Sequence, residues 1–140
     1  MVSTMFGPQA QSEKSQASNN SLKPKTDLKI RAYAYALNVV KLVDDLSKQQ
    51  VSNQVIARQL LRSATSIGAN IIEAQAGRTK KDFTNFFTHA LKSANQTKFW
   101  LGLLRDSGKV PKDLSNQLLQ ETVELANILG ASILTLKGRK

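Results

Sequence analysis

The chain has 140 residues, 41% of them hydrophobic, no cysteine, and a formal charge of +10 from 20 Lys and Arg against 10 Asp and Glu. That length holds one compact domain with a tail. The absence of cysteine excludes a disulfide framework and thiolate zinc sites, and the charge points to polyanionic partners. No apolar run resembles a signal peptide or approaches the roughly 18 residues of a spanning helix, so a cytoplasmic protein with no membrane association is expected.

Residues 1–27 are dominated by Ser, Gln, Asn, Lys and Pro. QAQSEKSQASNNS has no hydrophobic period and buries too little to offset ordering entropy, which predicts a disordered polar tail. From Leu28 the pattern changes. Leu28, Ala32, Tyr35, Val39, Leu42 and Leu46 step by helical intervals. SKQQVSN interrupts them, and a second helix is predicted from about Ser52 to Ala76 on Ile56, Leu60, Ala64, Ile67, Ile71 and Ala74. Gly77 is placed to stop it in a left-handed cap. Thr79, with Asp82 three residues on, opens a third helix as a near relative of the capping box. That helix carries Phe83, Phe87, Ala90, Ala94, Leu101 and Leu104 and stops at SGKVP. A fourth runs from Asp113 to about Leu136 on Leu114, Leu118, Leu125, Leu129 and Leu136. The fold class is therefore all-α, an up-and-down antiparallel four-helix bundle over residues 28–137, with a basic end at 138–140.

These stripes leave apolar side chains over. Leu61, Gly68 and Ile72 widen the arc of the second helix, Phe99, Trp100 and Leu103 point away from the core of the third, and Leu119, Val123, Ile133 and Leu134 lie off the fourth. Such surface predicts a homo-oligomer, with Phe99, Trp100 and Leu103 at the interface. The row Arg62, Ser66, Asn70 and Glu73 follows the polar side of the second helix. Ser66 and Asn70 are short enough for close approach, and Glu73 is placed to hold Lys80 or Lys81. The row is a candidate seam between subunits, or between a subunit and RNA.

Catalytic equipment is sparse. His89 is the single histidine, on a polar helix face, and no metal-ligand spacing or phosphate-cradling glycine loop occurs. No catalytic residue, metal site or cofactor is expected, and the chain reads as a non-enzyme. The basic residues Arg31, Arg58, Arg62, Lys80, Lys81, Lys92 and Lys98 are the candidates for nucleic-acid contact. Recognition would be of backbone and shape, since no sequence-reading module is visible.

LLRSATSIGANIIEAQAGRTKKDF, followed by KFWLGLL, resembles the bacterial four-helix-bundle proteins of the ribosomal RNA intervening-sequence type. The shared pattern falls on Arg62, Ala64, Ser66, Ile67, Asn70, Ile71 and Glu73, then Lys81, Asp82 and Phe83, then Phe99, Trp100 and Leu101. Those proteins include the accessory variability proteins of diversity-generating retroelements, to which KFWLGLL and ILGASI are similar. That resemblance implies a basic homopentamer that binds a reverse transcriptase and its template RNA, or an RNA–DNA hybrid. Where the pattern usually carries acidic residues before the Trp, this chain has Ser93 and Gln96, which makes it more basic. The alternatives are a protein encoded within a ribosomal RNA intervening sequence and associated with that RNA, or a purely structural assembly module.

Overall fold

The computed structural model describes residues 24–138, so the expected tail, in its first 23 residues, and the last two residues lie outside it. Four helices follow one another: α1 Pro24–Asp45, α2 Val51–Ala76, α3 Lys80–Asp106 and α4 Lys112–Gly138. At about 1.5 Å per residue, the 26 and 27 residues of α2 to α4 give rods of about 40 Å. α1 begins four residues before Leu28, at Pro24, a residue whose fixed φ and missing N–H suit the first turn.

Each helix packs against its chain neighbours, and α4 returns to α1 over a shorter seam. The bundle is therefore all-α and closed, and no strand occurs among the described residues. Its core is the set of helical stripes: Tyr35 and Val39 of α1, Leu60, Ile67 and Ile71 of α2, Leu101 and Leu104 of α3, and Leu118, Leu125 and Leu129 of α4. Ile133, expected on the outer surface of α4, belongs to this core. It follows Leu129 by four residues, and the slow drift of a 3.6-residue period brings it inward near the end of a long helix.

The connections explain the helix ends. The side-chain amide of Asn53 donates to the carbonyl of Ser47 at 2.9 Å, and that of Gln54 donates to Lys48 at 2.6 Å, so the first turn of α2 ties down carbonyls of the connection that follows α1. Thr79 caps α3 as expected, its hydroxyl accepting from the Asp82 N–H at 3.0 Å. Gly77 does not take the expected left-handed conformation. It is extended, with φ −69° and ψ 154°, and leads directly into the extended Thr79. A side chain there would place Cβ 3.3 Å from both the Ala74 carbonyl oxygen and Asp82 Cβ, so the position needs room rather than handedness.

The left-handed glycine is Gly108, at φ 74°. Its N–H bonds the Arg105 carbonyl at 3.2 Å, and the Lys109 N–H reaches Leu104 at 3.1 Å. These are the paired bonds of a Schellman stop.

Candidate nucleic-acid interface

The positive charge is unevenly divided among the helices. Between residues 51 and 106 eight Lys and Arg face three Asp and Glu, whereas residues 107–138 carry three of each. No carboxylate occurs from Val51 to Ile72 or from Phe83 to Arg105. The pairing of α2 with α3 joins those two stretches into one face.

Arg58, Arg62, Lys80, Lys81 and Lys92 are exposed and Lys98 is half-buried. Among the described residues none of them lies within ion-pair distance of a carboxylate. Arg62 donates to the neutral Gln59 amide oxygen at 2.8 Å, which orients the guanidinium and leaves its charge uncompensated.

Arg31, expected with this set, is engaged elsewhere. Its guanidinium donates twice to Glu121, at 3.0 and 2.7 Å, and to Glu124 at 2.7 Å. The hydrogen bond and charge of Glu121, supported by Glu124, hold Arg31 protonated well above its ordinary range against the effect of burial. Glu124 is held below the usual carboxylate range by the Gln120 amide and by Arg31, with partial burial opposing. One cation between two anions is no phosphate contact. It is a clamp from α1 to α4. The partners stand 90 and 93 residues apart in sequence, a separation no helical period reveals.

The row within RSATSIGANIIEA is also partly claimed. Asn70 donates through Nδ2 to the Ser66 carbonyl at 2.9 Å and to the Ser66 hydroxyl at 3.0 Å, and the Ser93 hydroxyl of α3 donates to the same Ser66 oxygen at 2.9 Å. One turn away, Thr97 pairs with Ser63 at 2.9 Å. Ser66 and Asn70 thus belong to a hydroxyl seam between α2 and α3 of one chain. Glu73 is exposed and forms no ion pair with Lys80 or Lys81 among the described residues. The seam partners Ser63, Ser93 and Thr97 interrupt apolar stripes at helical spacing, which was the available sign that small hydroxyls, not bulk, separate these helices.

A family model for the 23S rRNA-intervening sequence proteins matches residues 25–131, which spans most of the bundle. The chain belongs to that family. The crystal structure of a protein of unknown function from the S23 ribosomal protein family of Bacteroides thetaiotaomicron is 33% identical, with a TM-score of 0.73 over 79% of this chain and 97% of that one. No curated protein matches.

Within this family fold the aromatic motif divides. Trp100 packs half-buried against the core, while Phe99 is 59% exposed and Leu103 is also exposed. Phe99 and Trp100 meet edge to face, with ring centroids 4.9 Å apart. The largest outward apolar stripe lies elsewhere, on α1, where Ile30, Tyr33 and Leu37 are 62%, 72% and 44% exposed. Among the described residues no three His, Asp or Glu groups gather as a metal site, and no helix is long and apolar enough to cross a membrane.

Proposed function

We propose that this chain is a non-catalytic, self-associating nucleic-acid-binding protein that grips RNA or an RNA–DNA hybrid through the α2–α3 face. In the finer form of this reading it docks a reverse transcriptase, as the resemblance to retroelement accessory proteins implies. The observation that carries the reading is the pair of carboxylate-free stretches that α2 and α3 bring together, residues 51–72 and 83–105, with Arg58, Arg62, Lys80, Lys81, Lys92 and Lys98 unpaired among the described residues. Phosphates reward such a surface by counterion release, without sequence readout.

Filter binding to a structured RNA tests it. Reversing Arg58 and Arg62 to Glu weakens binding by roughly tenfold or more, since each lost phosphate contact also becomes a repulsion. Reversing Lys112 and Lys137 on the charge-balanced α4 changes it little. Equal effects from the two pairs would reject the face.

Self-association is supported by the outward stripe of α1. A helix apolar on its core side and again on its solvent side is suited to a second partner. Tyr33→Asp with Leu37→Asp is expected to lower the mass measured by light scattering. The wild-type species is a pentamer if the retroelement resemblance extends to assembly.

The family match favours a second reading, association with ribosomal RNA at an intervening sequence. A reverse transcriptase gene beside template and variable repeats supports the first reading, and a gene lying inside a 23S rRNA insertion supports the second.

A further inference from the structure

Phe99 is an exposed aromatic ring in the middle of the cationic face. Its place follows from the seam: Ser63 pairs with Thr97 and Ser66 with Ser93, so α2 and α3 run antiparallel with Phe99 level with Leu60. Arg58 and Arg62 therefore stand about 3 Å along the axis on either side of it. On α3 itself, Lys92, Asn95 and Phe99 share one solvent stripe at helical spacing, and all three are exposed.

The ring is not a loose side chain. The half-buried Trp100, packed against the core, meets it edge to face at 4.9 Å. A duplex hides the faces of its bases, whereas a single strand presents them together with a flexible charged backbone.

We propose that Phe99, braced by Trp100, is a stacking platform for an unpaired base, with Arg62 and Lys92 taking the flanking phosphates, so that this face prefers single-stranded RNA to duplex. The inference rests on the nucleic-acid reading above and adds a ligand class to it. Charge complementarity selects the occupant. A second copy of this chain is itself strongly net positive, while an RNA backbone neutralises these cations.

The test uses the full chain, an oligouridylate of about 15 nucleotides and an RNA duplex of equal length. The sequence has one tryptophan, so fluorescence reports this site alone. Oligouridylate is expected to quench Trp100. Phe99→Leu, which keeps an apolar side chain but removes the aromatic face, should weaken oligouridylate binding by roughly tenfold. Duplex affinity and the mass by light scattering should stay unchanged.

Wild-type oligouridylate binding by Phe99→Leu, or an equal loss for single strand and duplex, overturns the platform. A changed mass overturns it too and makes the aromatic pair a subunit contact. Salt-sensitive duplex binding with no dependence on Phe99 leaves the broader nucleic-acid reading standing, whereas no binding of either RNA removes both.

Discussion

At the scale of single residues, proton direction decides which groups matter. Thr122 donates its one hydroxyl proton to the Leu118 carbonyl at 2.6 Å, so it accepts from the buried Tyr35 hydroxyl. Burial raises the Tyr35 phenol above its ordinary value, with the Thr122 hydrogen bond opposing, and the phenol stays protonated as the donor. The two deletions are therefore unequal. Tyr35→Phe leaves Thr122 bonded to Leu118 and should cost about 1 kcal/mol, while Thr122→Val strands the Tyr35 hydroxyl and should cost about 1–3 kcal/mol. Urea unfolding of both variants checks the order.

The Arg31 clamp predicts an acid response. Glu124 has a depressed folded pKa, so the unfolded chain binds its proton first. Its stabilisation is present above the ordinary carboxylate value and is lost as pH falls through the lower folded value. Thermal unfolding between about pH 5 and pH 3 should show a smaller fall in Tm for Glu124→Gln than for the wild type.

At the scale of elements, the helices were legible because their apolar residues recur at one period for about five turns or more. Leu28 to Leu46 on α1 and Ile56 to Ala74 on α2 are all buried. The Thr79 cap was legible for a similar reason, since its partner stands three residues away. What the sequence did not show depends on which element faces which. Gly77 and Gly108 look alike as stop signals, yet only Gly108 takes positive φ, while Gly77 makes room for Asp82. Arg31 looked like the other surface cations until α4 brought Glu121 and Glu124 to it. Ser66 looked free until α3 supplied Ser93.

Two glycine substitutions separate these roles. Gly108→Ala places Cβ in a left-handed position and should cost about 1 kcal/mol. Gly68 meets α1 at Ala32, where an added Cβ would lie 3.5 Å from the Ala32 Cβ, an ordinary contact. Gly68→Ala should therefore be stabilising by about 0.5–1 kcal/mol through helix propensity. Thermal denaturation of the two variants, moving in opposite directions, checks both.

At the scale of the molecule, the bundle sorts its charge. The α1–α4 side neutralises Arg31 with two carboxylates, and residues 107–138 balance their charges, while residues 51–106, which hold α2 and α3, carry eight Lys and Arg against three Asp and Glu. The same sorting keeps the proposed association surface apart from the proposed binding surface, since α1 carries the largest outward apolar stripe and α2–α3 the unpaired cations.

If the α2–α3 face binds nucleic acid by charge, as proposed, the affinity for one structured RNA must follow salt concentration steeply. With four or more cations on phosphates, log K should fall against log salt with a slope steeper than about −3, and Arg58→Glu with Arg62→Glu should flatten it. An affinity that barely changes from low to moderate salt, or a slope the charge reversal leaves untouched, would contradict the account.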